Sequence, residues 1–156
     1  MGTLKGKTAI ITGGGRAVLS DGSCGSIGYG IATAYAKEGA NLVITGRNVK
    51  KLTDAKEELE EKYGIRVLPV QADISAGADN EALAESVAKQ AMDAFGRIDV
   101  LINNAQASAS GVTLADHTTE QFDLAVYSGL YATFHYMKAC YPYLKETKGS
   151  VINFAS

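Results

Sequence analysis

The 156-residue sequence has only two cysteines, two prolines and no tryptophan. Two thiols in a chain large enough to bury a core exclude a disulfide framework, so we expect a reducing, cytoplasmic setting. No apolar run approaches the roughly 18 residues that span a membrane, and the first residues lack the apolar core of a secretory signal. Neither sign of charge dominates, with 15 Lys and Arg against 17 Asp and Glu. Because no basic stripe stands out, nucleic acid is not expected as a partner.

Five short apolar runs predict β-strands. They are rich in β-branched residues and nearly continuously apolar, which is typical of strands that are buried on both faces of a parallel sheet. The predicted strands are residues 8–12, 41–45, 67–72, 100–103 and 150–154.

Four segments between the strands have helical periodicity. In the first of them we expect Ser26 to be the N-cap and Gly39 the C-terminal stop, with Ile27, Ile31 and Ala34 on its buried face. The predicted helices are residues 27–38, 49–63, 81–95 and 118–144.

The second and fourth helices also carry start signals. Asn48 is the expected cap of the second helix, and Thr118 with Gln121 matches a capping box at the start of the fourth. Strands that alternate with helices predict right-handed βαβ crossovers, and hence an α/β fold with a Rossmann-type, doubly wound parallel sheet in the order 3-2-1-4-5. We interpret residues 1–156 as one dinucleotide-binding domain that is incomplete at its C-terminal side.

The first strand runs straight into Gly13-Gly14-Gly15, and the first helix begins at Ser26-Ile27-Gly28. Glycine lets the backbone turn sharply and approach a phosphate, and a helix N-terminus offers free N–H groups and a positive dipole end. The order of strand, Gly-rich turn and helix favours dinucleotide binding, and a simple surface turn is the alternative.

The second strand ends at Gly46-Arg47. An acidic residue near this position holds the ribose 2′-hydroxyl of NAD, whereas an arginine suits the 2′-phosphate of NADP. The pair therefore favours NADP as the cofactor. The alternative interpretation is a solvent-exposed arginine at the start of a helix.

Polar residues follow the third and fourth strands. Asp73 lies at the carboxyl end of the sheet, where cofactors bind, and it could instead cap a turn with its side chain. Asn103-Asn104 could join neighbouring strands, face a ligand, or do both. His117 and His135 show no ligand spacing with Cys or carboxylates, so we predict packing roles for them and no metal site.

These motifs, in this order, resemble the short-chain dehydrogenase/reductase family, and the resemblance extends over essentially the whole chain. Residues 99–156 are similar to the bacterial NADP-dependent 12α-hydroxysteroid dehydrogenases of that family. The resemblance implies an oxidoreductase that interconverts a secondary alcohol and a ketone, with the 12α-hydroxyl of a bile acid as the expected substrate. It also implies a homo-oligomer, a dimer or tetramer, with the fourth helix as a subunit contact. The matching segments are residues 12–15, 26–28, 73, 103–105 and 153–156.

The resemblance also implies a role for each motif. Ser156 would hydrogen-bond the reacting oxygen of the substrate, stabilise the developing oxyanion and orient the reacting carbon. The hydride chemistry belongs to the cofactor. The implied cofactor contacts are Gly13, Gly15, Ser26, Ile27 and Gly28 at the pyrophosphate, Arg47 and Asn48 at the 2′-phosphate, Asp73 and Ile74 at the adenine, and Asn104, Ala105 and Gln106 near the ribose.

Two departures from the family concern the phosphate loop. Residues 14–25 separate Gly13 from Ser26, where the family has a much shorter loop, so residues 17–24 look like an insertion. The insertion either bulges away from the site or folds over the cofactor. Ser26 stands where glycine is usual, and because serine is a good N-cap, phosphate binding at the helix start is still expected.

Two further departures concern catalysis. Gly129 stands where most relatives have an Asn that supports a water in the proton relay; Ser128 could substitute, or the glycine eases helix packing. The family's Tyr-x-x-x-Lys pair follows the serine, but that spacing occurs here at Tyr141 and Lys145, ahead of Ser156 and around a proline that argues against the role. We therefore expect the chain to be the front part of a longer enzyme.

Two other classes of function remain open. A chain without the Tyr and Lys pair could bind NADP(H) without catalysis, as a sensor or interaction module. A different Rossmann enzyme, such as a methyltransferase, would share the Gly-rich turn, but Arg47 offers nothing to a methyl donor that lacks a phosphate. We favour an NADP-dependent oxidoreductase that acts on a small molecule.

Overall fold

The computed structural model describes residues 2–155, and the predicted catalytic residue Ser156 lies outside them. The five predicted strands are confirmed, with ends that differ by at most one residue. The strands are β1 Thr8–Thr12, β2 Asn41–Gly46, β3 Val67–Gln71, β4 Val100–Asn103 and β5 Ser150–Asn153. The helices are α1 Ile27–Lys37, α2 Val49–Tyr63, α3 Asn80–Phe95, α4 Thr119–Val126 and α5 Ala132–Thr147. Short 3-10 turns lie at Gly77–Asp79 and Leu114–Asp116, and a π-helical turn lies at Tyr127–Tyr131.

All five strands pair in parallel, in the order β3-β2-β1-β4-β5. This confirms the predicted α/β fold and the predicted strand order. The register places Ile10 of β1 between Val43 of β2 and Leu101 of β4. Because the strands run the same way, their carboxyl ends meet at one edge of the sheet, which is where ligands of such sheets bind.

Helices cover both faces of the central strands. Alternate residues of a strand point to opposite faces, so Ile11 and Ile44 pack in the core shared with α1 and α2. Ile10 and Val43 pack in the core shared with α3 and α5. All four side chains are fully buried. Burial on both faces explains why these strands are continuous apolar runs in the sequence.

The predicted helix caps are present. The hydroxyl of Ser26 accepts a hydrogen bond from the backbone N–H of Tyr29, and the side chain of Asn48 accepts one from the third residue of α2. Thr118 and Gln121 form the predicted capping box, with both reciprocal bonds made. Side-chain oxygens thereby satisfy backbone donors that have no partner inside the helix.

The predicted buried face of α1 is wrong at two of its three residues, because Ile27 and Ala34 are exposed and only Ile31 packs partly against the core. Ile27 is 63% exposed, and the face that packs on the sheet carries Gly28, Tyr29, Ala32 and Ala36 instead. Three of these four are glycine or alanine, and small residues allow the helix backbone to lie close to β1 and β2. Close approach of the helix therefore decides which residues of α1 are fully buried.

The predicted fourth helix is not one regular α-helix, because a π-turn separates α4 from α5. The N–H of Ala132 donates to the carbonyl oxygen of Tyr127, five residues earlier. The side-chain amide of the buried residue Asn80 donates to the same oxygen at 3.2 Å. The chain stays helical through this segment, but the turn is wider and orients residues 127–131 differently from an α-helix.

A buried carboxylate joins β1 to β4 at the amino-terminal edge of the sheet. Asp99, with its side chain 5% exposed, accepts a hydrogen bond from the N–H of Thr8 at 2.9 Å and forms a two-bond ion pair with Arg97. Burial alone would raise the pKa of Asp99, but the hydrogen bonds from Arg97 and Thr8 and the charge of Arg97 outweigh it and lower that pKa. Asp99 is therefore ionised in the folded protein and contributes to stability.

The edge strand β5 is exposed along its whole length, with Val151 at 40% and Ile152 at 43%. It pairs with β4 through the register Leu101 to Val151.

Among residues 2–155, no helix has both the length and the apolar character needed to cross a membrane.

Candidate functional site

A cleft of about 300 Å³ lies at the carboxyl edge of the sheet, above β1, β2 and β4. Seven of the twelve predicted cofactor-binding residues line it. The lining consists of Gly13, Thr45, Gly46, Arg47, Ala72, Asp73, Ile74, Asn104, Ala105, Gln106 and Ala107. The ends of four different strands thus converge on one cavity, as the parallel topology requires.

The first part of the Gly-rich turn is tied to β2. The N–H groups of Gly13 and Gly14 both donate to the carbonyl oxygen of Thr45, at 2.9 and 3.1 Å. Gly13 has φ = +73°, a conformation that strongly favours glycine. Because both amides are used to hold the turn in place, neither is free to bind an anionic ligand.

The start of α1 docks directly on this turn. A Cβ atom at Gly28 would lie 2.6 Å from Nδ2 of Asn104 and closer still to the carbonyl oxygen of Gly13. Any side chain at Gly28 would therefore push the helix away from the turn and from the end of β4. The predicted residues Ser26 and Ile27 precede Gly28, and both are exposed at the helix N-terminus.

A hydrogen-bond network centred on Thr12 fixes the loop after β4. The buried hydroxyl of Thr12 accepts bonds from the N–H groups of Asn104 and Ala105, each at 3.0 Å. The side-chain amide of Asn104 donates to the carbonyl oxygen of Thr12 at 3.0 Å. Thr12 was not predicted as a site residue, although its position directly before the Gly-rich turn could have indicated one.

The two adjacent asparagines have separate roles. Asn103 donates to the side-chain oxygen of Asn153 at 2.9 Å and so joins β4 to β5. Asn104 lines the cleft and bonds to Thr12. The strand-joining interpretation therefore holds for Asn103, and Asn104 lies at the cleft.

Arg47 and Asp73 give the cleft one cation and one anion. Asp73 caps its own turn, because its side chain accepts bonds from the N–H of Ser75 at 3.0 Å and from the hydroxyl of Ser75 at 2.6 Å. These bonds, with the charge of Arg47, lower the pKa of Asp73 against a smaller raising effect of burial. Arg47 is exposed and forms no ion pair within residues 2–155. Its guanidinium is available to an anionic ligand.

The insertion folds as a small hairpin against the start of α2. Val18 and Cys24 form an antiparallel bridge, and the N–H of Arg16 donates to the carbonyl oxygen of Lys51 at 2.8 Å. The guanidinium of Arg16 pairs with Glu58. Between the hairpin and α2 lies a separate cavity of about 450 Å³, which Asn48 lines. The insertion therefore lies beside the Gly-rich turn, next to α2.

Gly15 belongs to this second region. A Cβ atom at Gly15 would lie 3.2 Å from Cβ of Lys51, so the turn passes close to the first turn of α2. Gly15 and Asn48, both predicted cofactor contacts, do not line the main cleft. Asn48 lines the cavity between the hairpin and α2, and Gly15 lies against Lys51 of α2.

Ser128 joins the π-turn to the loop after β4. Its buried hydroxyl accepts a bond from the N–H of Ala107 and donates to the carbonyl oxygen of Ala107, both at 2.9 Å. The single hydroxyl proton of Ser128 is used in the second bond. Because both bonds tie the π-turn to the loop after β4, Ser128 braces that loop. Neither Ala107 nor the role of Ser128 had a recognisable sequence signal.

Other candidate groups lie away from the cleft. Tyr141 is 62% exposed on α5. This helix ends at the edge of the sheet opposite the cleft, where the hydroxyl of Thr147 donates a hydrogen bond to the carbonyl oxygen of Ile98, just before β4. Cys140 lies in the core under α5, where burial raises the pKa of its thiol to about 12. In the part of the chain that is described, no three His, Cys, Asp or Glu side chains are grouped as a metal site.

The family profile described as short chain dehydrogenase matches residues 7–156 of this chain. The chain belongs to the short chain dehydrogenase family. Within this family, it is 63% identical over 156 residues to the 12alpha-hydroxysteroid dehydrogenase of Clostridium sp., across 100% of this chain and 58% of that enzyme.

Two solved structures of similar fold contain a cofactor. L-Sorbose reductase from Gluconobacter frateurii, complexed with NADPH and L-sorbose, is 29% identical with a TM-score of 0.85, over 100% of this chain and 55% of that one. The alcohol dehydrogenase from the archaeon Thermococcus sibiricus, complexed with 5-hydroxy-NADP, is 28% identical with a TM-score of 0.80, over 93% of this chain and 56% of that one. This chain thus spans a little over half the length of these relatives.

Proposed function

We propose that the protein containing this chain is an NADP(H)-dependent oxidoreductase that interconverts a secondary alcohol and a ketone, with a 12α-hydroxysteroid as its substrate. The observation that carries the proposal is the 63% identity, over the whole chain, to a 12alpha-hydroxysteroid dehydrogenase. The family match also favours a dehydrogenase over a methyltransferase.

The residues of the cleft fit NADP(H). Arg47 has no ion pair among the described residues and follows Gly46, which leaves room beside it. A planar guanidinium can bond a phosphate through two N–H groups at once. Asp73 and Ile74 line the same cleft and would contact the adenine. The NADPH and 5-hydroxy-NADP complexes of two relatives of similar fold support this choice of cofactor.

Bound nicotinamide would supply or accept the hydride. The chain's own contribution is to position the reactants: Thr12 and Ser128 fix the loop after β4, and that loop forms one wall of the cleft. In the proposal, Ser156 donates a hydrogen bond to the reacting oxygen and stabilises the negative charge that develops there. In the sequence, Ser156 follows the last residue of β5 by three positions.

The proposal includes a cytoplasmic homo-oligomer, a dimer or tetramer. Large apolar side chains are exposed along the helices after the cleft, among them Leu130, Phe134 and Tyr141. Apolar surface of this kind is common where subunits meet. Residues 1–156 would form the front, cofactor-binding part of each subunit.

Steady-state oxidation tests the proposal. The full-length protein is incubated with NADP⁺ and a 12α-hydroxysteroid, and formation of reduced nicotinamide is followed by absorbance, with NAD⁺ and a steroid lacking the 12α-hydroxyl as controls. We expect turnover that needs both NADP⁺ and the 12α-hydroxyl. Binding of NADP(H) without turnover of any hydroxysteroid would instead identify a non-catalytic NADP(H)-binding module.

A further inference from the structure

Asn80 is a fully buried polar residue at the start of α3. Asparagine is common at helix starts because its side chain can cap the first turn, but this side chain forms no such cap. Among residues 2–155, its one side-chain hydrogen bond runs from Nδ2 to the carbonyl oxygen of Tyr127, at 3.2 Å, and its Oδ1 atom is buried without a partner. A buried acceptor without a partner costs stability, so the bond to Tyr127 is the physical reason for an amide at this position.

The bond from Asn80 reaches the chain where it departs from α-helical geometry. The carbonyl oxygen of Tyr127 also accepts the N–H of Ala132, which closes the π-turn. The next residue, Ser128, is 1% exposed, and its hydroxyl is bonded to both backbone groups of Ala107. Asn80 therefore holds the π-turn from outside its own helix, and the π-turn in turn holds the loop after β4.

The two ends of this series of contacts belong to different walls of the cofactor cleft. Ile74 lines the cleft from the loop after β3, and the same loop leads into α3 at Asn80. Gln106 and Ala107 line the cleft from the loop after β4. In the sheet, β2 and β1 separate β3 from β4, so strand pairing does not join these two walls directly. The bond from Asn80 to the π-turn provides a direct link between them.

We propose that Asn80 is a positioning residue for cofactor binding: by holding the π-turn, it keeps Ser128 bonded to the loop after β4 and fixes the two walls of the cleft relative to each other. The inference rests on the proposed function, because a dinucleotide in the cleft would contact both walls at once. Asn80 does not itself line the cleft. It acts on the cofactor through Ser128 and Ala107, and without its bond the π-turn is held less firmly against α3.

Asn80→Ala and Val87→Ala form a matched pair of variants of the full-length protein. Each truncates a fully buried side chain of α3 to alanine, but only N80A removes the bond to the π-turn. Fluorescence titration measures the dissociation constant for NADPH. We expect N80A to weaken NADPH binding by roughly two- to ten-fold, the factor that one hydrogen bond typically contributes, and V87A to bind NADPH like the unmodified protein. If N80A does not fold, Asn80→Leu fills the site without a donor and takes its place.

A double variant tests whether Asn80 acts through Ser128. Ser128→Ala removes both bonds to the backbone of Ala107 and should itself weaken NADPH binding. If the effect of Asn80 passes through this contact, adding N80A to S128A causes no further loss of NADPH affinity, because residues that share one contact are not additive. Two losses that simply add would overturn the proposed route from Asn80 to the cleft.

Hydrogen exchange of the free protein gives a readout that needs no cofactor. We expect the backbone amides of residues 104–107 to exchange faster in N80A than in V87A, because only N80A loosens the π-turn that holds this loop. A purely structural role for Asn80 would lower the thermal unfolding temperature of N80A but leave exchange in this loop and NADPH affinity equal in the two variants, and that result would overturn the inference. If the unmodified protein binds neither NADPH nor NADH, the proposed function fails, and the exchange comparison alone decides whether Asn80 positions the loop.

Discussion

Replacing Gly28 with alanine places a carbon atom where no space exists. The new Cβ would lie 2.6 Å from Nδ2 of Asn104 and 2.8 Å from the carbonyl carbon of Gly13. The Gly13 atom belongs to the backbone of the turn that β2 holds, so it cannot rotate away. Either α1 moves off the sheet or the Gly-rich turn shifts, and both changes disturb the cofactor cleft.

Gly30, on the same helix, provides a matched control. A Cβ atom there would have only Cβ of Cys24 within 4 Å, at 3.7 Å. Both substitutions gain helix propensity of about 0.5–1 kcal/mol, and this gain cancels in the comparison. What remains is the overpacking at Gly28, which typically costs about 1–3 kcal/mol. We therefore expect the unfolding free energy of G28A to be roughly 1–3 kcal/mol below that of G30A.

Urea denaturation of the two variants measures that difference, and a fluorescence titration with NADPH measures its effect on the cleft. We expect G30A to bind NADPH like the unmodified protein, and G28A to bind it more weakly. Equal stability of G28A and G30A, with equal NADPH affinity, would refute the inference that α1 docks on the turn through this glycine.

Three further predictions concern other named contacts. Thr12→Val leaves the N–H groups of Asn104 and Ala105 without their acceptor and should lower the unfolding free energy by roughly 1–3 kcal/mol per donor, while Thr12→Ser should restore it in the same urea titration. The pKa of Asp99 is lower in the folded protein than in the unfolded chain. The contribution of Asp99 to the free energy of unfolding is therefore fully present above the unfolded pKa of about 3.9, and it is lost as the pH falls through the folded pKa. Asp99→Asn should therefore be less stable near neutral pH and lose less stability on acidification, as measured by thermal unfolding across pH; an unchanged pH profile would contradict this. Arg47→Ala should weaken NADPH binding by roughly ten-fold with little effect on NADH, as measured by calorimetry; equal losses for both cofactors would contradict it.

The strands and their order were predictable because the signal is local and repeated. Residues such as Ile10 and Ile11 are buried on opposite faces of the same strand, so the sequence there is continuously apolar. The carboxyl ends of such strands meet by topology alone. That is why Arg47, Asp73 and Asn104 could be assigned to one edge of the sheet without knowledge of any contact between them.

The contacting face of α1 could not be predicted in the same way. The apolar pattern pointed to Ile27, whereas the structure buries Tyr29 among glycine and alanine residues. The distance between helix and sheet decided the face, and that distance depends on Gly28 meeting the Gly-rich turn. A hydrophobic pattern contains no information about backbone proximity.

The π-turn and the brace at Ser128 also had no local signal. The wide turn is accompanied by a bond from Asn80, which lies 47 residues earlier in the chain. Ser128 bonds to the backbone of Ala107, where the side chain identity is immaterial. Contacts between a side chain and a distant backbone group depend on the finished tertiary structure, so sequence patterns do not reveal them.

Recognition of the 2′-phosphate is tested most directly by the ratio of two dissociation constants, for NADPH and for NADH. Both are measured by isothermal titration calorimetry with the full-length protein at the same ionic strength. We expect NADPH to bind at least roughly ten-fold more tightly, because a hydrogen bond to a charged group such as Arg47 contributes about 1.5–3 kcal/mol. Equal affinities, tighter binding of NADH, or no binding of either cofactor would contradict an NADP(H)-dependent dehydrogenase.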